Sequence, residues 1–184
     1  MNELEAFRQE TRAWLESNCP PSMRTPMPSD EIVWGGRTVE FKHEDQRLWF
    51  ERMRDKGWFC PDWPVEYGGG GLNPQQAAIL DAEMRRLHCR PPQINLGIWM
   101  LGPVLLEFAT EEQKQRFLPP MARGEIRWCQ GFSEPNAGSD LASLRTRAVA
   151  DGDSYVVNGQ KTWTTLAQDA THMFLLVRTD PQAK

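Results

Sequence analysis

The hydrophobic period of this chain changes once, near Gly124, and that change limits the folds open to it. Before Gly124, apolar residues recur at helical spacing. After it, short β-branched and aromatic runs are bounded by Asp-Gly and Asn-Gly dipeptides. A chain that uses one period first and the other second builds segregated layers rather than an alternating α/β sheet. The expected fold is α+β and multidomain: an all-α helical domain over residues 1–124, then a β domain over residues 125–184.

In the first part, Leu4, Phe7, Thr11, Trp14 and Leu15 share one face, which predicts a helix over residues 3–17 closed by Pro20 and Pro21. A second helix is predicted over residues 44–56, with Leu48, Phe50 and Met53 inward and Gly57 suited to a left-handed C-cap position. Residues 57–73 crowd Trp58, Phe59, Trp63, Tyr67 and the run Gly68 to Gly71 into a stretch that reads as a loop packed by its own aromatics. That run is not a phosphate loop, since no Lys-Ser/Thr follows it and the spacing is not G-x-G-x-x-G. Asn73-Pro74 supplies an N-cap and a first-turn proline for a helix over residues 74–89 lined by Leu80, Met84 and Leu87. The apolar stretch 93–108 reads as a helix buried on most sides, and Thr110 with Gln113 has capping-box spacing for a helix ending near Met121.

In the second part, residues 126–132, 154–157 and 172–179 read as strands, with Asp151-Gly152 and Asn158-Gly159 as hairpin turns. So few strands do not close a barrel or a sandwich, so the β domain is expected to be an incomplete, barrel-like sheet. With 21 Lys+Arg against 25 Asp+Glu, a formal charge of -4 leaves no general basic field for nucleic acid. The longest apolar run, residues 96–108, is too short and too interrupted by Pro103 and Glu107 to span a bilayer. The first residues show no basic segment followed by an apolar one, so a cytoplasmic location is expected. Cys19, Cys60, Cys89 and Cys129 are widely spaced with no C-x-x-C, and His43, His88 and His172 have no partner at ligand spacing. Reduced, inert thiols and no metal site are the expectation.

Two polar clusters have the composition of a ligand site. Gly131-Phe-Ser-Glu-Pro-Asn-Ala-Gly-Ser-Asp140 gathers small residues and hydroxyls in a turn that Pro135 and Gly138 keep out of helix or strand. Its residues suit either a polar turn between strands or a place where backbone N–H groups approach a ligand closely. Asn158-Gly-Gln-Lys-Thr-Trp-Thr-Thr165 sets an indole among hydroxyls, and Trp163 could serve as a core residue or as a flat platform for an aromatic cofactor.

Taken together, Gly131-Phe-Ser-Glu-Pro-x-Ala-Gly-Ser-Asp140, the continuation from Gly152 to Thr165 and the upstream Trp63-Pro-x-Glu-Tyr-Gly-Gly resemble the acyl-CoA dehydrogenase family, in the same order and over essentially the whole chain. The resemblance implies a helical N-terminal domain, a middle β domain and a C-terminal helical domain of which these residues contain none. It implies FAD as cofactor and α,β-dehydrogenation of an acyl-CoA thioester in fatty acid or lipid metabolism, with an electron-transfer flavoprotein as electron acceptor. It also implies assembly, either as a homo-oligomer (dimer or tetramer) or with a chain supplying the missing half. A flavin monooxygenase or oxidase of the same fold, and a non-catalytic subunit that joins a full-length partner, are the alternatives.

Carried over by position, Gln130, Phe132 and Ser133 would meet the flavin edge, and Gly138 and Ser139 would lie near the pyrophosphate, with Ser139 also near the pantetheine arm. Trp163 would pack beside the flavin ring, with Thr164 and Thr165 near N5. Ser133 departs from the Thr frequent at that place in the family but keeps the hydroxyl donor. The acyl-pocket floor would fall near Leu96 to Met100. Neither Glu134 nor Asp140 matches the family's catalytic base, which belongs to the C-terminal domain, so both are expected to shape the turn.

Overall fold

In a computed structural model, residues 2–180 and 182 are described, and the chain divides into two compact units, residues 1–126 and 127–184. Among the described residues no helix is long and apolar enough to cross a membrane.

The first unit is helical. Helix α1 (Glu3–Asn18) is capped by the Asn2 side chain, and α2 (Glu44–Asp55) by His43. The inward face of α2 is Gln46, Trp49, Phe50 and Met53, so Trp49, not the half-buried Leu48, enters the core. Its indole Nε1 donates to the Arg90 carbonyl at 2.9 Å. Beyond α2 the aromatic loop is a packed structure in its own right, with Trp58, Phe59, Trp63 and Tyr67 all buried. Gly69 and Gly102 let the Trp63 ring and backbone close onto them. A Cβ at Gly102 would lie 2.0 Å from Trp63 Cζ2, and one at Gly69 would lie 2.3 Å from the Trp63 carbonyl oxygen. The glycine run is thus spent on close packing.

Helix α3 (Pro74–Arg86) opens with a full capping box between Asn73 and Gln76. It buries Ile79, Leu80 and Glu83, while Met84 and Leu87 are only half-buried. Glu83 joins α3 to α1. Its carboxylate, 2% exposed, accepts from Arg12 Nε and Nη2, both at 3.0 Å, from Arg8 Nη1 at 3.1 Å and from Arg86 Nε at 2.7 Å. The Arg12 fork, opposed by burial and aided by Arg86 and Arg8, holds this carboxyl at about 2. His88 ends the helix in the left-handed conformation at φ 57°. Its N–H donates to Arg85 O at 3.1 Å and that of Cys89 to Met84 O at 2.9 Å, the Schellman pattern with histidine where glycine is usual.

The stretch predicted as one buried helix over residues 93–108 differs in the structure. Residues 93–95 are irregular, Gly97–Leu101 is a π-helical turn, and α4 covers Gly102–Phe108. Gln93, Asn95, Gly97, Ile98, Leu101 and Gly102 are buried along it, while Trp99, Met100, Val104 and Phe108 are exposed. Apolarity on every face does not decide which face finds a partner. Helix α5 (Glu111–Ala122) has the predicted Thr110/Gln113 capping box and carries Pro119 and Pro120 in its last turns, with Leu118, Met121 and Ala122 buried.

The second unit is built from strands β1 (Trp128–Gly131), β2 (Arg147–Asp151), β3 (Ser154–Asn158) and β4 (His172–Leu175). β1 pairs parallel with β4, Trp128 opposite His172 and Gly131 opposite Leu175. β2 and β3 form an antiparallel hairpin around the Gly152 turn. The Arg147–Arg178 bridge links the hairpin to the segment after β4. The predicted turn at Asn158-Gly159 closes no hairpin, because the chain continues into a long loop. A Cβ at Gly159 would meet Thr146 Oγ1 at 2.3 Å. β4 also stops at Leu175, short of the predicted Thr179. Every residue of β3 is exposed and Ala148 alone is buried in β2, so the unit is a partial β domain with no closed barrel.

Candidate functional site

The two polar clusters meet in the second unit through one enclosed ion pair. After β1 the chain leaves the strand at Phe132 and folds into a tight turn in which the backbones of Glu134 and Ala137 exchange hydrogen bonds of 3.0 and 3.1 Å. The Glu134 carboxylate turns inward, accepting from the Arg145 N–H at 2.7 Å, the Thr146 N–H at 2.8 Å and Lys161 Nζ at 2.9 Å. Lys161 Nζ also donates to the Phe132 carbonyl at 2.9 Å, and the Thr162 N–H donates to the Ser133 carbonyl at 2.9 Å. The Glu134 and Lys161 side chains are 8% and 7% exposed. Burial pushes the Glu134 carboxyl up, but the donors from Thr146, Arg145 and Lys161 outweigh it and hold the group at about 2. Glu134 is therefore a fixed anion that shapes the turn and has no proton to exchange near neutrality.

That pair holds a set of outward-facing groups. Trp163 follows the Lys161-Thr162 anchor in a left-handed conformation (φ 57°) with its residue 92% exposed, so no core of this unit encloses the indole. The Thr165 N–H closes a tight turn onto the Trp163 carbonyl at 3.1 Å, and Leu166 is again left-handed at φ 60°. Thr164 Oγ1 donates to the Thr162 carbonyl at 3.5 Å, while Thr165 is exposed. Phe132 stands edge-on to Phe174 of β4, ring centroids 5.1 Å apart, and Gln130 lies half-buried in β1 opposite Phe174. Ser133 is half-buried, Ser139 is exposed, and Gly138 has open space where a Cβ would be. The structure thus ties Phe132 and Ser133 to the segment bearing Trp163, Thr164 and Thr165, with Gly138 and Ser139 beyond the Glu134–Ala137 turn.

These groups fit an FAD edge chemically. An unshielded indole held on two left-handed residues is costly in water and gains by covering a flat aromatic ring. Exposed hydroxyls at Ser139 and Thr165 supply donors, and the bare backbone at Gly138 admits close approach of a phosphate. Lys161, which sequence reasoning missed, holds the arrangement together. In sequence it is one position of the motif running from Gly152 to Thr165, with nothing local to assign it a role, and its partner Glu134 is 27 residues away.

In the first unit Leu96 is half-buried and Met100 is exposed. A cavity of about 390 Å³ lies beside them, lined by neither but by Met53, Trp58, Phe59, Met84, Ile98 and Trp99 among others. Among the described residues there is no cluster of three or more His, Cys, Asp or Glu able to hold a metal ion.

Comparison with known proteins agrees with this architecture. Residues 1–125 match the family model "Acyl-CoA dehydrogenase, N-terminal domain" and residues 129–184 match "Acyl-CoA dehydrogenase, middle domain". The chain is 40% identical over 181 residues to acyl-CoA dehydrogenase IpdE1 of Mycobacterium tuberculosis, covering 98% of this chain and 46% of that protein. It superposes on a chain of the Tcur3481-Tcur3483 steroid ACAD G363A variant with TM-score 0.69 at 36% identity, covering 98% of this chain and 45% of that one. For the ChsE4-ChsE5 complex from Mycobacterium tuberculosis the TM-score is 0.67 at 36% identity, covering 98% and 44%. The chain therefore spans less than half the length of these relatives. With both domain models matched in order along nearly all its residues, the chain belongs to the acyl-CoA dehydrogenase family.

Proposed function

We propose that this chain supplies the flavin-edge half of an FAD-dependent acyl-CoA dehydrogenase, which introduces a double bond between Cα and Cβ of an acyl thioester. The observation that carries the reading is the exposed Trp163 platform fixed beside Ser133 by the Glu134–Lys161 pair. Bound there, FAD would accept the β-hydride at N5.

Within this reading the chain's own residues bind and orient. Trp163 covers one side of the ring system, Thr165 and Ser133 donate hydrogen bonds to its polar edge, and Gly138 and Ser139 receive the pyrophosphate. Phe132, braced by Phe174, keeps water from the edge. Glu134 does not remove the α-proton, because its carboxylate is enclosed and fully engaged by three donors. The base and further FAD contacts come from the portion of the relatives that this chain does not span. They would be supplied either by continuation of the chain or by a second chain, a division in keeping with the similar Tcur3481-Tcur3483 and ChsE4-ChsE5 proteins. An electron-transfer flavoprotein would then reoxidise the flavin.

The steroid ACAD relatives and the aromatic-lined cavity of about 390 Å³ in the first unit favour a bulky apolar acyl group over a short one. The test is anaerobic mixing with a saturated acyl-CoA. The 184 residues alone should leave added flavin oxidised, and the same residues joined to the helical half should bleach it. Bleaching by the 184 residues alone would overturn the division of labour.

A further inference from the structure

Gln93 is 7% exposed, yet neither Nε2 nor Oε1 of its enclosed carboxamide meets a hydrogen-bond partner. A buried donor and a buried acceptor left unmade carry the cost of their lost hydration, whereas Leu or Met would fill a similar volume without it. The chain also makes room for this amide. Gly35 and Gly124, left-handed at φ 69° and 72°, both abut it, and a Cβ at either would lie 2.7 or 2.9 Å from Oε1.

Gln93 is one of the residues lining the cavity of about 390 Å³ in the helical unit. That volume falls within the roughly 300–1,000 Å³ usual for sites that enclose compact organic ligands. Its walls are apolar, with Met53, Trp58, Phe59, Met84 and Ile98 joined by the exposed Trp99. The other amide and the charged groups around it are engaged. Asn95 Nδ2 donates to the Ile126 carbonyl at 3.1 Å and its Oδ1 accepts from the Gly97 N–H at 3.0 Å, while Arg85 Nη2 pairs with Asp81 at 2.9 Å. Gln93 is thus the uncommitted amide of an apolar chamber. Its last torsion joins sp³ and sp² carbons and is soft, so the amide can turn toward a group entering the cavity.

A carboxamide offers an N–H and a C=O side by side. A hydroxyl answers both, its oxygen accepting from Nε2 and its proton going to Oε1, whereas a ketone answers Nε2 alone and a methylene neither. A rigid ring skeleton fills such a volume at less entropic cost than a flexible chain does. We propose that this cavity takes the far end of the acyl group, an alicyclic ring system bearing a hydroxyl, and that Gln93 is the specificity residue that recognises that hydroxyl. This assignment rests on the acyl-CoA dehydrogenase reading and names the class of acyl group for it.

The first arm of the experiment titrates the 184-residue chain with β-decalol and β-decalone, fused-ring compounds that differ only in the oxygen function, and follows binding by calorimetry. The alcohol should bind about tenfold more tightly, the equivalent of one hydrogen bond, and Gln93→Met should remove that preference by weakening the alcohol. The second arm joins the chain to the helical half, adds FAD, and compares anaerobic bleaching by the CoA thioesters of hydroxydecalin-propanoic and oxodecalin-propanoic acid. At subsaturating concentration the hydroxy thioester should bleach the flavin about tenfold faster.

Equal affinity for alcohol and ketone, the result expected if an enclosed water satisfies Gln93, would overturn the proposal, as would no binding of either or a preference that survives in Gln93→Met. The wild-type ratio decides by itself if the variant fails to fold. Bleaching by both thioesters at equal rates would also overturn it while leaving the dehydrogenase reading intact. A tenfold binding preference with no bleaching by either thioester would uphold Gln93 as the hydroxyl site and count against the dehydrogenase reading instead.

Discussion

Replacing Lys161 by methionine removes the cation from the enclosed pair while keeping most of the side chain's volume. Glu134 would then remain buried with two donors, the Arg145 and Thr146 N–H groups at 2.7 and 2.8 Å, and the Phe132 carbonyl would lose the Nζ donor 2.9 Å away. The carboxyl stands at about 2 in the fold against an ordinary 4.5. At 1.36 kcal/mol for each tenfold change, the whole set of donors is worth about 3 kcal/mol of acid-linked stability. With both backbone donors still in place, Lys161→Met should cost about 2 kcal/mol, below the roughly 3–5 kcal/mol for removing one member of a fully enclosed pair.

The sign in pH follows from the same comparison. Because the folded carboxyl is the stronger acid, its contribution is complete above the unfolded value of 4.5 and is lost as pH falls toward about 2. In Lys161→Met the folded value rises, so the contribution of this carboxyl is smaller and its loss, still beginning near 4.5, is complete at a higher pH. The assay is native-state hydrogen exchange at the Arg145 and Thr146 amides, which reports this unit separately from the helical one. Protection at these amides within about 0.5 kcal/mol of wild type, a difference usual for inconsequential surface changes, would refute the view that the pair staples the two clusters.

Other consequences follow from the helical unit. Glu83→Ala should destabilise it by about 3 kcal/mol in urea titration, because three arginines lose a shared, enclosed carboxylate. Gly102→Ala should cost at least about 2 kcal/mol and shift Trp63 emission, since the new Cβ would sit 2.0 Å from Trp63 Cζ2. His88→Gly should raise Tm and stabilise by about 1 kcal/mol, as glycine adopts φ 57° without the Cβ penalty; an unchanged or lower Tm would contradict the Schellman assignment.

The parts of the fold legible in sequence are those written locally. The change of period separates helices from strands, and Asn73/Gln76 and Thr110/Gln113 form the capping boxes their spacing predicts. Gly57 is left-handed at φ 69°, as a C-cap requires. What was not legible depends on contacts distant in sequence. Leu48 and Trp49 are adjacent and both apolar, so only the angle at which α2 docks selects the tryptophan. The uniformly apolar segment ending at Phe108 gives no clue to which side is covered. Glu83 reads as a surface charge until Arg8 and Arg12 of another helix converge on it. Within the candidate site the exposed hydroxyls and Trp163 were visible as composition, and the Gly131–Asp140 turn as a motif. Lys161 was not, because the pair it makes with Glu134 exists only after the strands and the long loop are in place.

The central claim is that the face around Trp163 is where the flavin lies, and it is tested most directly by FAD titration of the protein joined to its helical half, comparing wild type with Trp163→Ala. A side chain 92% exposed carries little of the fold, so Tm without FAD should stay within about 1 °C of wild type, as surface changes usually do. Loss of its stacking should weaken FAD at least about tenfold, or 1.4 kcal/mol. Unchanged FAD affinity in Trp163→Ala would contradict the account.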